Sequence, residues 1–197
     1  HASESQIHDN HSELPAKAQV VVVGAGAAGL IVARRLVASG VGVCLLEQGA
    51  GVGGVWLHQA NSTSRVNTSE PAYRLVQQPV RPNTDHSSQS EVLADMQSVA
   101  STLCDSLWFH IEVTAVHKSE DGACLVSCRD ATNGTVEEIR CAAAVICTNR
   151  RLGQQRTVSF PGEEWFGGTV CYGMGGEVST VGFEHARVVI VGMGAFA

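Results

Sequence analysis

Gly24-Ala25-Gly26-Ala27-Ala28-Gly29 sets three glycines at the spacing GxGxxG, and an acid, Glu47, stands 23 residues after Gly24. These residue types suit one task, holding a charged pyrophosphate against bare backbone. Gly24 permits a tight turn, Gly26 lets main chain approach phosphate oxygens, and Gly29 lets a helix pack closely on a strand. The phosphates would then meet free N–H groups at the positive end of a helix dipole. Glu47 can accept hydrogen bonds from both hydroxyls of a ribose, and its carboxylate repels a 2′-phosphate. The pattern therefore predicts FAD or NAD, not NADP, at this turn.

Such a turn works only between particular elements, and the flanking residues supply them. Residues 20–23 are all valine, as in a strand buried on both faces of a parallel sheet. The following stretch predicts a helix with Leu30, Ala33 and Val37 on its inner face and Gly40 as C-cap. Residues 41–46 predict the second strand, which delivers Glu47. Arg34 and Arg35 read as solvated charges on the outer face of the helix.

Composition narrows the alternatives. Of 197 residues, 16% are charged and 44% are hydrophobic, with a net charge of −6 and scattered basic residues, which excludes wholesale disorder and disfavours nucleic acid as partner. The longest apolar run, 20–33, is 14 residues, too short to span a bilayer, where roughly 18–20 are needed. A disulfide framework or zinc site is not expected from the seven cysteines, because none forms Cys-x-x-Cys. A reducing, cytoplasmic setting follows.

A second glycine cluster, Gly49-Ala50-Gly51-Val52-Gly53-Gly54-Val55-Trp56, follows the acid closely. It resembles the corresponding stretch of the flavin-containing monooxygenases and the related Baeyer–Villiger and N-hydroxylating enzymes. The resemblance continues through 61–67 and 71–75, similar to the segment beneath the isoalloxazine ring. Residues 91–107 predict an amphipathic helix with Val92, Met96, Val99 and Leu103 inward and a capping box of Ser88 with Glu91. Residues 108–116 predict a strand similar to the family's adenine-flanking strand. Strands at 123–128 and 135–140 flank a hairpin turn at Asn133-Gly134, and a strand at 142–148 resembles the one that returns to the FAD. There Asn149 stands where the family has glycine. Phe166 and Gly168 match the family's linker signature, whereas Tyr172 takes the place of its His. Residues 187–191 then predict a strand leading into Gly192-Met193-Gly194-Ala195-Phe196-Ala197, similar to the start of an NADPH-binding unit.

The resemblance implies an α/β fold: a Rossmann-like FAD-binding domain with a parallel sheet and β-meander, then the start of a second Rossmann-like, NADPH-binding domain. The domain expectation is a disordered lead-in at 1–18, the FAD domain at 19–165 and the linker with the second domain's beginning at 166–197. The chain reads as the N-terminal part of a longer parent. The resemblance assigns cofactor contacts to Gly24, Ala25, Gly26, Ala27, Ala28, Gly29, Glu47, Gln48, Gly53, Gly54, Val55, Trp56, Val113, Thr148, Gly192, Gly194 and Ala197. Asn61 or Asn67 would be the flavin-facing polar residue, and either reads equally as a turn Asn. Trp56 has core packing as its alternative, and His58 a solvated position. His8 and His11 read as solvated histidines in a polar tail.

The implied reaction uses FAD and NADPH to oxygenate a nitrogen, sulfur or ketone centre of a small molecule with O₂, through a C4a-(hydro)peroxyflavin. The chemistry is the cofactor's, so no side-chain nucleophile is expected. The competing readings are a non-catalytic FAD-binding module and a flavin-dependent disulfide reductase. The second requires a redox cysteine pair near the flavin, and residues 53–103 contain no cysteine.

Overall fold

Valine packs well on a pleated, buried surface, and the valine run forms the inner part of β1 (Lys17–Val23), with Val21 and Val22 fully buried. The computed structural model describes residues 13–77, 82–148, 157–173 and 177–192. The chain divides into two units, His1–Gly54 with Leu93–Thr148, and Val55–Val92 with Asn149–Ala197.

In the first unit β1 leads through the glycine turn into α1 (Ala27–Ala38) and on to β2 (Val43–Leu46). Gly29, Leu30 and Ala33 form the buried stripe of α1. Val37, expected on that stripe, is exposed, and Ser39, one residue before Gly40, is the C-cap. The stripe therefore covers the first turns of the helix and not its end.

The sheet runs β3-β2-β1-β6-β5-β4, with β3 at Leu107–Trp108, β4 at Ile111–Lys118, β5 at Cys124–Asp130 and β6 at Val136–Ile146. The first four strands in that order are parallel, and β6, β5 and β4 form an antiparallel meander. This is the parallel sheet plus meander that the sequence predicted.

Three details differ from the expectation. The strands expected at 135–140 and 142–148 are one continuous strand, β6, whose first half pairs with β5 and whose second half pairs with β1. The two pairings overlap at Arg140 and Cys141, so no turn separates them. The strand expected at 108–116 is broken by His110, which lies in the left-handed region at φ 60. The helix expected over 91–107 is α3 (Gln89–Ser101), followed by a 3-10 turn at Cys104–Ser106. Beyond that turn, Leu107 and Trp108 pair with β2 instead.

Val21, Val23, Cys44 and Leu46 on one sheet face share a core with Ile111, Val126, Cys128, Ile139 and Cys141 of the meander. On β1 and β2 the alternate residues Val22 and Leu45 are fully buried too, as are Leu30 and Ala33 of α1. Burial of each such valine, leucine or isoleucine stabilises the fold by roughly 1.5–3 kcal/mol. Val92, Met96 and Val99 of α3 are buried, as expected of its inward face, and so are Ala100 and, just past the helix end, Leu103.

The second unit holds α2 (Val55–His58), a 3-10 turn at Glu70–Tyr73, a 3-10 turn at Glu163–Trp165 and α4 (Glu177–Thr180). Ser88 and Glu91 make the expected capping box. The Ser88 amide and hydroxyl both donate to Glu91 Oε2, and the Glu91 amide points back at Ser88 Oγ. Arg187 to Val191, expected as a strand, pairs with nothing among the described residues, and Val189 is 85% exposed. Its apolar pattern is that of a sheet strand, but a strand exists only where a partner completes its ladder.

Candidate nucleotide site

The three glycines of the fingerprint have separable roles in the first unit. Gly24 turns the chain at φ 96, its amide donating to Leu46 O at 2.7 Å. A Cβ there would sit 3.2 Å from both Cys147 O and Thr148 Cγ2, so the end of β6 closes directly on the turn. Gly26 is the N-cap of α1 in extended conformation, with no side-chain capping bond and no acid in the first turn. The opening amides of a helix lack intrahelical acceptors, so this end is an anion-ready terminus. Gly29 is buried so tightly that a Cβ would lie 1.8 Å from Gly24 O.

The second glycine cluster folds back onto the first. Gly53 N donates to Ala25 O at 3.1 Å, and a Cβ on Gly54, at φ 53, would meet Gly26 Cα at 3.2 Å. Two backbones therefore touch without intervening side chains. Gly26 itself has space, since the nearest atom to a Cβ there would be Gly54 Cα at 3.8 Å. The result is a shallow cradle walled by main chain.

Glu47 is 6% exposed at the mouth of the same turn. Its Oε2 accepts from the Ala25 amide at 2.7 Å and its Oε1 from the Gly49 amide at 2.9 Å. A carboxylate has about four lone-pair sites, so each oxygen keeps room for one further donor. Its backbone is fixed from both sides, with Glu47 N donating to Trp108 O and Ile111 N donating to Glu47 O, each at 2.9 Å. The break at His110 is what allows both bonds, because two residues of the opposite strand are bypassed. His110 N also donates to Gly49 O and His110 O accepts from Ala131 N, tying the acid's loop to the β5–β6 turn. The sequence reading missed His110, since a left-handed His carries no signature in a pattern of types.

The remaining expected residues are dispersed. Ala25 is buried, Ala27 half-buried, Ala28 exposed and Gln48 exposed. Val113 lies in β4 at a register shift against β5. Gly192 is described, at φ 117, whereas Asn149, Gly194, Ala197, His8 and His11 lie outside the described residues.

In the second unit, Val55 begins α2, and Trp56 donates from Nε1 to Tyr73 Oη at 2.7 Å with the two rings edge to face at 5.9 Å. Gln89 Nε2 donates to the carbonyls of Trp56 and Ala60, both at 2.9 Å. His58 is exposed. Asn61 is 7% exposed and Asn67 exposed. Asn61 Oδ1 accepts from Thr63 N at 3.0 Å and Thr63 Oγ1 at 2.7 Å, the arrangement of an Asx-turn. Glu70, unforeseen from the sequence although its i,i+4 spacing to Arg74 was legible, is buried and bound bidentately by that guanidinium. Arg74 holds the Glu70 carboxyl below the usual carboxylate range.

Comparison with known proteins agrees with this fold. The family model of the NAD(P)-binding Rossmann-like domain matches residues 22–80. Flavin-containing monooxygenase FMO GS-OX-like 2 of Arabidopsis thaliana is 45% identical over 49 residues, a quarter of this chain and 10% of that protein. Among solved structures, an oxidised steroid monooxygenase bound to NADP aligns with TM-score 0.60 and 28% identity over 68% of this chain and 26% of its own. The OTEMO complex with FAD and NADP aligns with TM-score 0.58 and 26% identity over 70% of this chain and 26% of its own. The chain thus spans about a tenth of the curated relative and about a quarter of these solved structures.

Proposed function

We infer that this chain, related to the flavin-containing monooxygenases through its first nucleotide-binding unit, is the FAD-binding part of an FAD- and NADPH-dependent monooxygenase acting on a small molecule with O₂. The observation that carries the reading is the side-chain-free contact of Gly26 with Gly54, with the Glu47 carboxylate at the same turn. That arrangement suits a dinucleotide: the uncapped N-terminus of α1 would hold the pyrophosphate, and the Glu47 carboxylate would accept from the ribose hydroxyls. A 2′-phosphate would meet the Glu47 carboxylate, which supports FAD at this turn and leaves NADPH to the second one, beginning at Gly192.

When bound, the flavin supplies the redox and oxygen chemistry. The residues of this chain bind and orient. Gly24 and Gly29 set the helix against the strand, the α1 amides neutralise phosphate charge, and Glu47 fixes the ribose. Val113 and Thr148 are assigned to the cofactor, Thr148 because it closes on Gly24. Of the two asparagines, buried Asn61 suits the flavin-facing role better than exposed Asn67. The substrate centre is nitrogen, sulfur or a ketone.

The test is a visible absorbance spectrum of the purified full-length protein, before and after NADPH in air. Bound flavin that NADPH bleaches, with oxygen consumed and an added amine, sulfide or ketone oxygenated, supports the proposal. Bound flavin that NADPH never reduces would make this a binding module, and a colourless protein unable to take up FAD would defeat the FAD assignment. Transfer of NADPH electrons to a disulfide instead would favour the reductase reading.

A further inference from the structure

Four cysteines share one face of the sheet: Cys44 of β2, Cys124 and Cys128 of β5, and Cys141 of β6. Two of them are cross-strand partners. In the antiparallel register of β5 and β6, Cys124 stands directly opposite Cys141. Residues so placed have Cα atoms about 4.5–5.5 Å apart and side chains on the same face. A disulfide spans Cα separations of roughly 4.4–6.8 Å, so the backbone already meets its requirement. We propose that Cys124 and Cys141 form a reversible redox-modification site, converted to a disulfide by a peroxide.

The two thiols differ in the way such a pair requires. Cys124 is half-buried at the start of β5, next to the Ser119–Ala123 turn, and offers a peroxide access. Cys141 is buried opposite it on the adjacent strand. Burial pushes Cys141 upward, which leaves it protonated and protected until its neighbour is activated. The other buried members are held inert more firmly: desolvation raises Cys44 strongly and Cys128 to about 11. Cys104, exposed, has no cross-strand cysteine and serves as an internal reference for unassisted oxidation.

The steps balance with hydrogen peroxide as the oxidant. The Cys124 thiolate attacks one peroxide oxygen, the O–O bond breaks, and the departing hydroxide takes up the thiol's proton as water, leaving a sulfenic acid. The Cys141 sulfur then attacks the Cys124 sulfur. The S–S bond forms, the S–O bond breaks, and hydroxide leaves with the Cys141 proton as a second water. Two thiols lose two electrons and the peroxide gains two. The crosslink would staple β5 to β6 where β6 also pairs with β1, because Cys141 faces Ala18 there.

The experiment is mild hydrogen peroxide treatment of the folded full chain, alkylation of remaining thiols, and non-reducing peptide mapping, with circular dichroism checking that the fold persists. The expected result is a linked peptide joining Cys124 to Cys141, loss of two of the seven thiols, and reversal by dithiothreitol. Cys124→Ser, and separately Cys124→Ala, should abolish the linked peptide, and Cys104→Ser should leave it intact. Oxidation confined to Cys104 or Cys171, a different pairing such as Cys44 with Cys128, or no linked peptide in folded wild-type chain would each overturn the proposal.

Discussion

Gly26 and Gly29 stand three residues apart in one fingerprint, and the structure predicts that replacing each by alanine will fail in a different way. A Cβ on Gly29 lands 1.8 Å from Gly24 O, so an ordinary contact of 3.4 Å demands that α1 retreat from its strand by about 1.6 Å. Alanine gains about 1 kcal/mol of helix propensity, while overpacking against backbone costs about 3 kcal/mol, which leaves a net loss of about 2 kcal/mol. For a domain of this size that lowers the melting temperature by about 4–8 °C. Gly26→Ala meets no atom closer than 3.8 Å, and its extended backbone suits alanine, so stability should stay within about 1 kcal/mol of wild type. Its new methyl instead occupies the space open to a pyrophosphate, and FAD affinity should fall at least about tenfold, or 1.4 kcal/mol. Thermal melts followed by circular dichroism and flavin-fluorescence titrations read the two quantities separately. A Gly29→Ala chain as stable as wild type, or a Gly26→Ala chain that binds FAD normally, would refute the assignment of roles.

Three further outcomes are expected. Glu91 is held near pKa 2 by the amides of Ser88 and Thr84, below its ordinary 4.5, so its contribution is complete above about pH 4.5 and is lost as pH falls towards 2. Glu91→Gln should remove that part of the acid transition, seen as a flatter loss of helical circular dichroism over this window. Glu47→Gln keeps an acceptor for one of the Ala25 and Gly49 amides and turns an NH₂ donor against the other. It should cost about 1–3 kcal/mol of stability and weaken FAD binding, measured by denaturant melts and by titration. His110→Gly should preserve or slightly raise stability because glycine adopts φ 60 freely, whereas His110→Val should lower the melting temperature and loosen hydrogen-exchange protection at Glu47 and Ile111.

The glycine turn was legible because close backbone approach constrains residue type and spacing together. Gly24 and Gly29 stand where a Cβ would clash, Glu47 accepts from two backbone amides, and the Ser88–Glu91 box declares a helix start in the same local way. Pairing is not local, and there the pattern ran out. Nothing in residues 135–148 distinguishes two strands from one strand with two partners. Residues 187–191 carry strand composition without a ladder among the described residues, and His110 breaks a strand that its neighbours' propensities would continue. Asn61 and Asn67 are alike as letters, and only burial separates them.

The double duty of β6 bears on the order in which the chain assembles. Its first half meets β5 across a short reverse turn, a closure of microseconds, whereas its second half must find β1, more than a hundred residues earlier in the chain. The meander can therefore form as a local unit and carry Ala144 to Ile146 in register toward β1. Docking of that preformed edge completes the parallel sheet and in the same event brings Cys147 and Thr148 against Gly24. A binding turn made this way is finished last, so ligand competence should trail secondary structure in refolding.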